Sequence, residues 1–197
     1  MGRSATPAPA ALVVGVIRRP KDALEPALRA LEPVLGPLEQ PGPRWPFAWS
    51  DYYAGEMGTG LERCFLRALQ PVPREVLADV KRWTNRVEQR LAGPDGRRRI
   101  NLDPGLLSLE SLILASTKAQ PQRVYLGGGI WAEVSLVFRG GRFEPLPWTY
   151  PDYRCEPVRR LLAELRQQHK RNLRGGCAPL DVSALDAALR REQEVIT

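Results

Sequence analysis

"RRRINLDPG", residues 97–105, is the stretch on which the reading of the fold turns. Ile100 and Leu102 alternate with Asn101 and Asp103, and a strand of period two sends the two polar side chains to one face together. The Pro104-Gly105 pair that follows is an ordinary turn signal, and an Asp before it bonds readily to its own backbone. Read as a strand end, the segment offers an amide and a carboxylate for site chemistry. Read as a turn, it offers only the shoulders of a bend.

Working outward, "SLESLILAS" (108–116) reads as a helix with Ser108 as its cap and Glu110 and Ser111 in its first turn, so Lys118 follows a helix end. Beyond it, 122–148 reads as a meander of three antiparallel strands. Gly140-Gly141 makes a two-residue hairpin turn that places Phe138 opposite Phe143. Gly127-Gly128-Gly129 is a turn between strands, because no Lys-Ser/Thr pair and no helix follow it as a phosphate loop requires.

On the other side, "ALVVGVI" (11–17) is a buried strand, and Leu24, Leu28, Leu31 and Leu35 mark a helix behind Asp22 that Pro33 should kink or end and that Gly36-Pro37 ends. The Pro-rich stretch from residue 41 leads into a strand over 46–53. "GLERCFLRAL" is another strand, with Leu61, Arg63, Phe65 and Arg67 on one face. Pro73 and Gly93-Pro94 bound a helix over 74–92. Its seam is Val76, Val80, Trp83, Val87 and Leu91, which leaves Lys81, Arg82, Asn85, Glu88 and Gln89 facing solvent. A basic helix occupies 157–173 and Gly175-Gly176 stops it. These elements predict an α+β fold, a mixed and largely antiparallel sheet with helices packed on it, with a ferredoxin-like core and a three-strand meander as the expected arrangement. The expected organisation is one domain over 1–174 and a polar extension over 175–197 with one helix at 182–195 and little to pack.

The composition, 43% hydrophobic and 26% charged in 197 residues, suits a folded domain with a sizeable core. No apolar run approaches the ~18 residues of a membrane helix. Three widely spaced cysteines, Cys64, Cys155 and Cys177, give neither a disulfide framework nor a structural zinc pattern, and a reducing, cytoplasmic setting is the expectation. The formal charge of +7 invites a nucleic-acid partner, yet of 29 basic residues only Lys21, Lys81, Lys118 and Lys170 are lysines, a bias that a GC-rich genome also produces. A single histidine, His169, removes His-rich metal sites and paired-histidine chemistry, and its place on a polar cationic helix end reads as surface.

Four carboxylates sit beside turn or aromatic signals: Asp51, Glu56, Asp103 and Asp152. If the fold brings them together with Asn101, their oxygens suit Mg²⁺ or Mn²⁺, since hard cations select carboxylate and amide ligands. Asp51, Glu56 and Asp103 are then the candidate metal ligands, and Asp103, Asn101 and Asp152 the candidate catalytic groups. Each is also an ordinary turn former. Lys118, Arg99, Tyr150 and Tyr52 are the candidate ligand-binding residues. The basic helix 157–174, with Arg159, Arg160, Arg166, Lys170, Arg171 and Arg174, could grip phosphates without sequence preference.

The stretches "FAWSDYYAGEMG", "RRRINLDPGLLSLESLILASTKAQ" and "RVYLGGGIWAEVSLVFRGGRFEPLPWTYPDYR" resemble those of an uncharacterised bacterial family, the domain-of-unknown-function family 4416, over roughly residues 10–172. Some members are described as GTP-binding. This sequence has neither a phosphate loop nor an Asn-Lys-x-Asp guanine motif, and "STKAQ" (116–120) departs from the latter. Three functional readings remain open at this stage: a binding domain for an anionic ligand such as a nucleotide or RNA phosphate, a metal-dependent phosphoryl-transfer or hydrolytic enzyme, and a structural protein-interaction domain.

Overall fold

The computed structural model describes residues 2–193. At the centre of its sheet lies β1 (Ala10–Arg18), flanked by β4 (Glu62–Val72) and β5 (Ile100–Leu107). Past β5 come β6 (Ser111–Ser116), β8 (Ile130–Arg139) and the edge strand β7 (Val124–Gly127), while β9 (Arg142–Pro145) also pairs with β8. The short β2 (Leu38–Glu39) and β3 (Trp45–Pro46) pair with β4. Among the described residues this is one nine-stranded sheet, antiparallel at every pairing.

Both faces are covered, which is why β1 is a continuous apolar run with no polar alternation. On one face Leu12, Val14, Val16, Leu66 and Leu102 pack against α1 (Glu25–Leu35), α3 (Leu77–Arg90) and α6 (Ser183–Gln193). On the other, Val13, Phe65, Leu107, Leu112 and Phe143 pack against α5 (Glu156–Arg174). Two four-residue helices, α2 (Ala54–Met57) and α4 (Pro151–Arg154), sit in the loops that border the site. The α+β class therefore holds. Helix α3 carries the chain from β4 to β5 across β1, one split β-α-β unit of the kind a ferredoxin-like core doubles. The other connection, through α1, joins direct neighbours β1 and β4, so the doubled arrangement is not formed.

Several elements differ from the sequence expectation for identifiable reasons. Pro104-Gly105 makes no turn, and β5 runs through it to Leu107. Gly105 is needed there because a Cβ would lie 2.7 Å from a Leu114 methyl and 2.9 Å from the Ile113 carbonyl on β6. The stretch 108–116 is a hairpin and a strand, not a helix. Ser108 Oγ accepts from the amides of Glu110 and Ser111, and β6 then buries Leu112 and Leu114 on one face while Ile113 and Ala115 meet the other core. A short strand buried on both sides shows no periodicity that separates it from a helix. Of the strand expected over 46–53 only Pro46 belongs to a strand, the two-residue β3 that begins at Trp45; Ser50 then caps a 3-10 turn at Asp51–Tyr53, its Oγ accepting from the Tyr52 amide. Pro33 lies inside α1 and does not end it; the helix stops at Gly36, where φ is 69°, as the Gly36-Pro37 pair predicts.

The C-terminal segment is not merely polar. Leu185, Ala188 and Leu189 of α6 are buried against the α1 and α3 layer. The last two residues of the helix expected over 182–195 lie outside the described residues. His169 is also inside, at 1% exposure on the sheet-facing side of α5.

Two outcomes follow. Leu185→Ala lowers the unfolding free energy by about 2–5 kcal/mol in denaturant titration, the usual cost of emptying a buried leucine site. Burial pushes the His169 imidazole below its ordinary value, so the unfolded chain takes up a proton at a pH where the folded one does not. Stability therefore falls as pH drops below about 6.5, and His169→Gln flattens that part of the stability–pH curve.

Candidate functional site

The site arises where two neighbouring strands part. β5 and β6 are paired only from Gly105↔Leu114 to Leu107↔Leu112. Toward its N-terminus β5 stays on β1, while β6 continues on β8. Pro104 lies at the fork and has no N–H to offer a partner. Two residues earlier, the free backbone of Leu102 is taken up by α3: Glu88 accepts from its N–H at 2.6 Å and Lys81 donates to its carbonyl at 2.9 Å. Lys81 and Glu88 are thus buried, not on the wet face that the helical pattern assigns them. Burial raises the Glu88 carboxyl above its ordinary range, against the pull of Lys81.

The fork opens a cleft of about 640 Å³, walled by the 47–53 strap, the start of β5, the end of β6 and the turn at 150–153. Asn101 and Asp103 do share one face, and the Asn101 amide donates to the Asp103 carboxylate at 2.6 Å. Lys81 stands 3.5 Å from the same carboxylate and Arg63 3.9 Å. Arg63 projects from β4 over Gly15 and forms a buried, two-nitrogen ion pair with Asp152, one contact being 2.7 Å. The rings of Phe47, Phe65 and Tyr153 surround its guanidinium at 5.8, 5.5 and 5.1 Å. Gly15 makes this possible: a Cβ there would lie 2.5 Å from the Tyr153 hydroxyl and 2.6 Å from Arg63 Nη1. Burial also raises the hydroxyls of Tyr53 and Tyr153 well above the phenol range, so both remain neutral donors.

Of the candidate catalytic residues, then, Asp103, Asn101 and Asp152 meet in one cleft, joined through Arg63. Tyr52, Tyr150 and Lys118 stand at its exposed rim, where Lys118 bonds the Tyr52 hydroxyl and lies 3.9 Å from that ring's centroid. Lys118 follows a strand, not a helix. Tyr150 is held by Arg123, which also pairs with the buried Glu133. Glu56 lies beside the cleft, in a two-point ion pair with Arg98 at 2.8 and 2.6 Å that holds its carboxyl below the usual range. Arg98 in turn bonds Asn101. Arg99 is exposed in a separate hollow of about 590 Å³ next to Arg19, Lys21 and Arg97. Asp51 is exposed on the strap and does not line the cleft.

The metal-ligand set expected from sequence is not assembled. Among the described residues no three His, Cys, Asp or Glu side chains are grouped to hold an ion. Asp51 is apart, Glu56 is engaged by Arg98, and Asp103 by Asn101 and Lys81. On α5, Arg159 and Arg166 donate to the carbonyls of Phe143 and Leu109, which bolts the helix to the sheet, and Arg166 also stacks on Phe138. Arg160, Arg171 and Arg174 stay on its outer face. No described helix is long and apolar enough to cross a membrane. Sequence reasoning missed Arg63, Lys81 and Glu88; the polar residues facing apolar ones along β4 were the available signal for the first.

A family model, Domain of unknown function (DUF4416), matches residues 8–169. The chain belongs to this family. The match runs from just before β1 to His169 near the end of α5, and every residue lining the cleft falls inside the DUF4416 region. No curated protein and no solved structure matches the chain.

The packing over Gly15 gives a sign test. An alanine in mid-strand ordinarily helps by about 0.5–1 kcal/mol relative to glycine. Gly15→Ala is expected instead to destabilise by about 1–3 kcal/mol, because its methyl displaces Arg63 or Tyr153; thermal unfolding of the variant reads the sign directly.

Proposed function

We propose that the cleft holds a small anionic ligand carrying a planar ring, a mononucleotide being the chemical class that joins the two, and that the domain works as a binding module. The observation that carries this reading is the state of Lys118. Four cations line the cleft, Arg63, Lys81, Arg98 and Lys118, against Glu88, Asp103 and Asp152. The first three cations each have a carboxylate within ion-pair distance, and Lys118 has none among the described residues. It stands at the open mouth, where an arriving anion meets an uncompensated charge and several donors.

Six aromatic side chains line the same cleft, Phe47, Trp49, Tyr52, Tyr53, Tyr150 and Tyr153. Rings of this kind present faces on which a flat heterocycle stacks, each such contact contributing about 1–3 kcal/mol by alanine substitution. An apolar-walled hollow with a few convergent polar groups is the usual form of a small-molecule site. This arrangement favours a single nucleotide over an RNA phosphate track on α5, since Arg159 and Arg166 already hold backbone carbonyls.

A panel of nucleoside monophosphates followed by thermal shift tests the reading. One or more raises the melting temperature, linkage stabilising the folded state by about 2.7 kcal/mol at a hundred times Kd. Lys118→Ala weakens that binding about 3- to 10-fold, the range expected for losing one exposed charge-assisted bond, and leaves the melting temperature of the free protein unchanged. Absence of any shift across the panel contradicts the proposal.

A further inference from the structure

The floor of the cleft has a chemistry different from its mouth. Arg63 and Lys81 there face Asp103 and Asp152, with the buried Glu88 beside Lys81 as a third carboxylate. A phosphate carried to that depth would meet these carboxylates, so the floor suits a neutral group. One strong donor at this depth is unsatisfied. Arg63 is 2% exposed, its Nε and Nη2 are both used on Asp152, and its Nη1 makes no hydrogen bond to the protein. Nη1 is turned toward Asp103, at 3.9 Å, too far for a hydrogen bond of their own.

An acceptor stands beside that donor. The Asp103 side chain keeps a quarter of its surface exposed in the cleft. Its oxygens accept from Asn101 at 2.6 Å and lie 3.5 Å from Lys81, which leaves lone-pair positions free, because a carboxylate has about four. Tyr153, whose hydroxyl is packed next to Nη1 over Gly15, closes the far side.

We infer that this floor reads the edge of a neutral ring in which a carbonyl stands next to an N–H, a lactam or imide edge. Arg63 Nη1 donates to the carbonyl, Asp103 accepts from the N–H, and the ligand's anionic group points outward to Lys118. The inference rests on the cleft being a nucleotide-type site and adds which ring edge it takes and which way round. The ring edge brings an acceptor to a buried donor that has no partner and a donor to the partly exposed carboxylate beside it, and an unpartnered buried donor is costly enough that an incoming acceptor is strongly favoured. Discrimination follows, since a ligand lacking the N–H leaves a lone pair of the Asp103 carboxylate without that donor.

Isothermal titration of the full chain with uridine 5′-monophosphate and inosine 5′-monophosphate, each beside its ring-N-methylated form, tests this. Methylation removes the N–H and keeps the carbonyl, the ring and the phosphate. At least one parent nucleotide is expected to bind, with its methylated form about tenfold weaker or more. In Asp103→Ala, shown to be folded by its melting transition, the two forms bind alike; should that variant not fold, the comparison in the unaltered protein decides alone. Equal affinity of parent and methylated forms overturns the lactam-edge inference and leaves the nucleotide reading standing. Failure of all four to bind overturns the lactam-edge inference, and the nucleotide reading falls with it only when the whole panel of nucleoside monophosphates also gives no thermal shift.

Discussion

Leu102 is where a helix does the work of a strand. In an antiparallel sheet the backbone groups of β5 on its β6 side would be met by β6 itself, and losing that partner inside a protein leaves a donor and an acceptor to be satisfied. Glu88 and Lys81, two turns apart on α3, supply both. The strands can then separate at Pro104 without exposing bare backbone, and the gap becomes a cleft instead of a defect. All the polar chemistry of the site depends on that substitution: Asn101 and Asp103 lie on the freed end of β5, Ser116 and Lys118 at the departing end of β6.

The electrostatics follow from the same opening. Groups buried next to a low-dielectric sheet have to be matched, and here the matching is nearly complete: Arg63 with Asp152, Lys81 with Asp103, Arg98 with Glu56 and Glu88. This pairing explains why the scattered carboxylates do not assemble as an acidic cluster. Among the described residues lining the cleft it leaves a charge without a carboxylate at the mouth and an unpartnered guanidinium nitrogen at the floor. A ligand that binds here is thereby oriented, with its anion outward and its neutral edge inward.

Much of the frame was legible in the chain. The apolar run of β1, the Gly140-Gly141 hairpin with Phe138 opposite Phe143, and the boundaries of the long helices at Pro73, Gly93 and Gly175 all rest on local chemistry that tertiary contacts do not override. The pairing of Asn101 with Asp103 was legible too, since period two alone dictates it. What escaped was decided by long-range packing. Pro104-Gly105 looks like a turn until a neighbouring strand requires a glycine at 105 and can do without an amide at 104. Lys81 and Glu88 look solvated because helical periodicity marks polar faces without knowing that an unpaired strand lies beneath one of them. His169 looks like surface for the same reason, and the short β6, covered on both sides, carries no alternation to distinguish it from a helix.

The claim that α3 stands in for a strand at Leu102 has a direct measure in the hydrogen exchange of that one amide, followed by NMR in the unaltered protein and in Glu88→Ala. Protection of Leu102 comparable to that of the amides in the β1–β5 ladder, and its selective loss in the variant while the ladder amides stay protected, is what this structure predicts. Rapid exchange at Leu102 in the unaltered protein, or protection indifferent to Glu88, would contradict it.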